Sequence, residues 1–249
     1  VSIYPTPRSH RIKRSLHSFL PSINHSSVTD QRYNLSEKQK NSSALMTADL
    51  TSTTDFVTVL SQAAAAYRGE KSTRPSAEIL VNALLQAEKA AKQQRLNYPL
   101  DSLLGKWRLC FATGTKKVRE RGGIVLGKGL YVPKFVPIHI SFSANLEQDS
   151  TQGEIANQVE LVPILLKLTG PVQYMGKKNL LAFDFNHMLI SLFGRVMYNR
   201  QIRSGKVQSE DFYSQPIAKL PFFAFFLVTE DFIAARGRGG GLALWIRES

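Results

Sequence analysis

The C-terminal block, residues 221–248 (PFFAFFLVTEDFIAARGRGGGLALWIRE), limits the fold more than any other stretch of the chain. Phe222, Phe223, Phe225, Phe226, Leu227 and Val228 are strand formers that leave almost no polar face. Residues 232–236 and 242–247 flank a glycine-dense link, Gly237-Arg238-Gly239-Gly240-Gly241. Two apolar runs joined by residues that tolerate positive φ predict a β-hairpin. An apolar strand leading into a closing hairpin predicts a sheet that seals on itself.

The segments upstream supply the rest of that sheet. In Leu104 to Thr113, Trp107, Leu109, Phe111 and Thr113 share one face by period two, with Arg108, Cys110 and Ala112 on the other. Ile138, Ile140, Phe142, Ala144 and Leu146 alternate strictly with His139, Ser141, Ser143, Asn145 and Glu147. Residues 153–166 and 171–175 read as shorter strands broken by Pro163 and Gly170, followed by Leu181, Phe183 and Phe185 on one face of another. With 189–198 added, the pattern predicts an up-and-down antiparallel barrel of about eight or nine strands.

Before the sheet come two amphipathic helices. Thr53-Thr54 can cap the first, on which Phe56, Leu60, Ala63, Ala64 and Tyr67 recur at helical spacing until Gly69. Pro75-Ser76 opens the second, with Ile79, Leu80, Ala83, Leu84, Ala87 and Ala91 on one stripe. The resulting expectation is an α+β, mainly β chain: a helix pair over 46–100 packed on a barrel over 101–249. Residues 1–45 have no hydrophobic periodicity, abundant Ser, Arg and Lys, and only Asp30 and Glu37 as acids. They read as a disordered leader, either transit-like or preceding a start at Met46, and are set apart from the fold.

Charge and cysteine content narrow the function. Lys and Arg number 32 against 19 acids, a net charge of +13, which favours anionic partners. One cysteine, Cys110, excludes an internal disulfide framework and a cysteine-based zinc site. No apolar run approaches the roughly 20 residues that a membrane-spanning helix needs. Outside the N-terminal segment the histidines are His139 and His187, with no metal-ligand spacing around them, so no metal or cofactor is expected. No Gly-x-Ser-x-Gly elbow occurs, Glu230-Asp231 fits a turn, and Cys110 fits a strand interior, so no catalytic set is expected. Gly237 to Gly241 lacks the lysine and following helix of a phosphate loop. No strand carries a paired aromatic and basic stripe, so nucleic acid is not expected as a partner.

Two structural features remain. Trp107, entering the first barrel strand beside Gly105, is placed to plug the barrel base, with Arg247 of the last strand covering its indole. Gly237, Gly239 and Gly240 belong to the closing hairpin. A barrel of about eight strands is wide enough either for side chains alone or for one small ligand, and both alternatives stand at this point.

Leu104-Gly105-Lys106-Trp107-Arg108-Leu109 with Thr113, preceded by two helices, resembles the opening barrel strand of the plastid lipid-associated protein (fibrillin) family. The terminal block resembles that family in Glu230-Asp231, Arg236-Gly237, Gly239-Gly240 and the closing apolar strand. The resemblance implies a lipocalin-like barrel at chloroplast or cyanobacterial thylakoids or lipid globules. It also implies a small hydrophobic ligand such as a lipid, carotenoid, quinone or fatty acid.

The combined expectation is a peripheral, non-enzymatic binding protein at an anionic membrane or lipid-globule surface. A structural coat protein without a ligand and a lipid-acting enzyme are the alternatives. Basic loops would supply surface attraction, with Lys116, Lys117, Arg119, Arg121 and Lys128 in one and Arg200, Arg203 and Lys206 in the other. Each well-placed cation contributes about 1 kcal/mol. Apolar insertion is expected to be minor, with residues 220–226 as the fallback anchor.

Overall fold

The computed structural model describes residues 56–114, 129–144, 151–202 and 212–248. The described residues belong to the compact unit Asp49–Ser249. The N-terminal segment 1–45, the Thr53-Thr54 cap and Leu146 lie outside the described residues. So do Lys116, Lys117, Arg119, Arg121, Lys128, Arg203 and Lys206.

Helix α1 covers residues 56–68 and buries Phe56, Leu60, Ala63, Ala64 and Tyr67. Helix α2, Ala77–Gln94, starts where the Ser76 hydroxyl accepts the Ile79 N–H at 3.3 Å, and ends at Arg95 in the left-handed region. Its buried stripe is Leu80, Ala83, Leu84, Ala87 and Ala91. Ile79, which the periodicity put on that stripe, is exposed, because one residue before Leu80 is about 100° round the helix.

Among the described residues eleven strands follow: β1 Gly105–Ala112, β2 Leu130–Tyr131, β3 Ile138–Ala144, β4 Gln152–Leu161, β5 Ile164–Met175, β6 Leu180–Phe183, β7 His187–Leu192, β8 Arg195–Gln201, β9 Phe222–Val228, β10 Phe232–Gly237 and β11 Leu242–Arg247. The ring β1-β3-β4-β5-β6-β9-β10-β11 closes through antiparallel pairing of β1 with β11 and of β4 with β5. This is an up-and-down barrel of eight strands with extra strands attached, β2 on β1 and the β7–β8 hairpin on β5.

The two largest apolar cores among the described residues lie on either side of the barrel wall, and a smaller third gathers Ala182, Phe212 and Leu220. Outside, α1 and α2 cover Phe226, Phe232, Ala234, Leu242, Leu244 and Ile246 of the last three strands, together with Cys110 and Phe111. Arg236 of β10 ties α2 to this wall by donating from Nε to both oxygens of Glu88 at 2.9 and 3.1 Å. Inside, Trp107, Ile140, Phe142, Ile155, Val172, Leu181, Phe225, Ile233 and Trp245 fill the barrel's central section. The Phe142 and Phe225 rings meet edge-on at 6.0 Å across it. The middle of this barrel is therefore packed with side chains.

Three strand details differ from the sequence reading. A bulge between Leu109 and Phe111 ends the simple alternation of β1, so Phe111 turns out to the helices instead of following Trp107 inward. Strand β5 runs unbroken through Gly170 and Pro171. Its partner changes there, from β7 at Thr169 to β6 at Val172. Gly170 suits the crossover because a Cβ would lie 2.0 Å from the Asp184 carbonyl oxygen. Finally, residues 189–198 are not one strand: Phe193 and Gly194, both at positive φ, fold them into the β7–β8 hairpin.

Candidate functional site

The chain direction of the strands gives the barrel two distinct ends. The base carries the start of β1, the end of β11 and the β9–β10 turn. There Leu100 and Leu103, on a short 3-10 turn (Leu100–Leu103), join the inner core beneath Trp107. Trp107 is fully buried and donates from Nε1 to the Leu103 carbonyl at 2.7 Å. The Arg247 guanidinium lies 4.0 Å from the centre of its indole ring and donates to the carbonyls of Leu104 and Glu230. Gly105 has φ +112° and would place a Cβ 3.1 Å from that guanidinium, so glycine leaves the room Arg247 occupies. Of the predicted barrel-closing residues, the structure thus brings Gly105, Trp107 and Arg247 together at the base. Gly237, Gly239 and Gly240 sit at the other end, in the β10–β11 turn, where the Gly237 N–H donates to the Gly241 carbonyl at 2.9 Å.

The candidates for chemistry are occupied in structural contacts. Cys110 is buried against the helices, and desolvation pushes its thiol up to about 12, far from a reactive thiolate. His139, on the outer face of β3, is also buried, with Nε2 3.0 Å from Glu248 and Nδ1 3.9 Å from Glu160. Desolvation, helped by Lys106, holds its pKa below the usual imidazole value despite the two carboxylates. Among the described residues, no cluster of His, Cys, Asp and Glu has the makings of a metal site.

The far end of the barrel, its mouth, is built differently. Strand β5 runs on past its ring partner β6 while still paired with β4, and the β7–β8 hairpin takes the place of β6 there to make a four-stranded apron. Ile155 fixes the inward face of β4, and alternation carries Asn157 and Val159 onto the same face. Across the ladder, register adds Leu166 and Leu168 of β5, then Met188, Ile190 and Leu192 of β7. Each of these side chains is half-buried, so the barrel's inner wall continues as a partly open apolar trough. Tyr198 stands opposite Ile190 and Arg200 opposite Met188, so β8 adds polar groups to the trough's edge. Phe183, Phe185 and Phe223, with stacked Phe183 and Phe223 rings 4.9 Å apart, close off the filled barrel beside it.

Sequence reasoning missed this trough. It also placed Arg200 in a basic loop, whereas Arg200 belongs to β8, held in the ladder opposite Met188. Leu166, Leu168, Met188 and Ile190 alternate visibly in the sequence, and alternation was the signal that could have found them. What the alternation lacked was the fact that β7 and β8 leave the ring, which uncovers the inward face. Within the fallback anchor at residues 220–226, Leu220, Phe225 and Phe226 are buried, while Phe222 and Phe223 are half-buried. Among the described residues no helix is long and apolar enough to cross a membrane. No family model matches the chain, and no curated protein matches it either.

Proposed function

We propose that this chain is a non-enzymatic binding protein that holds a small hydrophobic molecule at a lipid surface. The observation carrying this reading is the half-open apolar trough of Val159, Leu166, Leu168, Met188, Ile190 and Leu192, set beside a barrel whose centre is already full. A long apolar molecule lying there would cover side chains that the fold leaves partly in water, which is favourable by about 25 cal/mol per Å². Arg200 at its margin is placed for an acidic or polar head group. We extend to it the fibrillin-like role that its terminal block suggests, at thylakoids or lipid globules with a lipid, carotenoid, quinone or fatty acid as ligand.

Titration with the fluorescent fatty acid cis-parinaric acid in vesicle-free buffer tests this. Saturable uptake is expected, and Leu166→Asp with Ile190→Asp is expected to weaken it by about tenfold or more, since a charge in an apolar site is strongly disfavoured. Uptake that is absent, or unchanged in the double variant, would overturn the trough as ligand site. A second reading has its own support in the filled barrel interior: a structural coat that binds lipid surfaces and carries no ligand. Vesicle binding without any probe uptake would favour the coat.

A further inference from the structure

We infer that the mouth-end rim is a membrane-insertion edge: the joined turns at Val162 and Phe193, with Phe135 beside them, enter the interface of an anionic lipid bilayer. This rests on the lipid-surface reading above and adds which part of the molecule makes the contact.

The rim is one continuous piece. The β4–β5 turn and the β7–β8 turn are adjacent, with the Phe193 N–H donating to the Pro163 carbonyl at 2.9 Å and Ile164 paired with Leu192. On the other side, the Glu160 N–H donates to the Pro137 carbonyl at 3.0 Å, which brings the Phe135 turn alongside. The five most exposed large apolar side chains among the described residues all lie on this rim or on β8 next to it. Val162 is fully exposed, Phe135 80%, Phe193 79%, Met197 65% and Val196 58%. An ordinary surface scatters such residues singly, and their concentration at one edge marks an interaction site.

Charge and shape select the occupant. Lys134, Lys167, Arg195 and Arg200 stand on the same strands and turns, against Glu154 and Glu160, and the Glu160 carboxylate already accepts from Gln158 at 2.5 Å. The exposed Lys134, Arg195 and Arg200 behind an apolar edge match an anionic headgroup layer over acyl chains. A second copy of the chain fits less well. Arg195 and Arg200 on the edge strand β8 oppose pairing of two such edges. The sequence reading assigned attraction to charge alone, with insertion minor. The rim adds an apolar contribution that salt does not screen.

The test uses the full chain with vesicles of phosphatidylcholine, with and without phosphatidylglycerol. Val162→Ser with Phe193→Ser is expected to weaken binding to the mixed vesicles about tenfold or more, leaving the melting temperature unchanged. Phe193→Trp is expected to bind like the wild type, and its introduced indole to be quenched by brominated lipid more than the buried Trp107 and Trp245 are. Undiminished binding of the double Ser variant, or an introduced indole that brominated lipid does not quench, would overturn the proposal. So would wild-type chain that ignores both kinds of vesicle, or dimers in solution that the double Ser variant converts to monomers. The vesicle experiment contains no fatty-acid probe. A failed probe titration therefore counts against the ligand reading alone, a wild type that ignores vesicles counts against the lipid-surface reading and the rim together, and undiminished binding of the double Ser variant counts against the rim alone.

Discussion

The two ends of the barrel solve opposite problems. At the base, Trp107, Leu100 and Leu103 fill the opening, and the groups around them find partners: the indole N–H on Leu103, the Arg247 guanidinium on the Leu104 and Glu230 carbonyls. At the mouth, the apron carries the same inward apolar alternation past the ring and leaves it half uncovered, ending in turns whose apolar tips are bare. A closed end needs side chains that satisfy one another. An open end with apolar walls is stable in water only because the ring beside it is already well packed. The difference separates the part of the chain that maintains the fold from the part available for binding.

Breaking the base should cost the most. Trp107→Ala is expected to destabilise by about 3–5 kcal/mol in chemical denaturation, as truncation of a large buried aromatic does. Arg247→Ala is expected to cost about 1–2 kcal/mol, and a double-mutant cycle should return a coupling between the two, because both lose one cation–π contact. Additive losses would mean that the base is not held by that contact.

The mouth end of the wall is held from outside, by Glu88 of α2 on Arg236 next to the β10–β11 turn. Glu88→Gln is expected to cost about 1–2 kcal/mol at neutral pH. Hydrogen bonding from Arg236, reinforced by Lys92, holds the Glu88 carboxyl below the usual carboxylate range. A depressed carboxyl contributes its full stability above its unfolded pKa and loses it as pH falls through the folded one. The wild type should therefore lose stability in the acid carboxylate range by a step that Glu88→Gln lacks. His139, also depressed in the fold, adds a step at higher pH: its neutral form is favoured, so stability falls as pH drops below the ordinary imidazole value. Melting temperatures across the range from neutral to acid pH for wild type, Glu88→Gln and His139→Gln would separate the two steps. Parallel curves for all three would remove both.

Changes at the rim should be the mildest for stability. Val162→Ser and Phe193→Ser are expected to shift unfolding free energy by less than about 0.5 kcal/mol, since exposed turn residues make few folded contacts. A loss comparable to that at the base would mean that the rim is covered by another part of the chain, and the contrast between the two ends would disappear.

Much of the fold was legible from local pattern. Ser76 before α2, the strict alternation of β3, the glycine link at 237–241 and the apolar run of β9 each announce their own conformation, because capping, pleating and turn chemistry act over a few residues. The Trp107 and Arg247 pair was readable from barrel closure, since the first and last strands of a closed meander must be neighbours. The candidate site was much less legible. Of the basic side chains assigned to it, only Arg200 falls among the described residues, and there it is a strand residue.

The sequence by itself determined the helix pair and most of the strand segments, though not the β7–β8 turn, the continuity of β5 through Gly170 or the short β2, because hydrophobic period and turn residues are local properties. Tertiary structure decided what each apolar face meets. The bulge after Leu109 sends Phe111 to the helices, and the partner change at Gly170 splits β5 between the ring and the apron. That second event leaves Leu166, Leu168 and Ile190 half in water while Ile155 and Val172, on the same face, are buried. Alternation specifies that a face is apolar. Whether protein, ligand or lipid covers it depends on which strand lies across from it, and that is fixed by pairings between residues far apart in the chain.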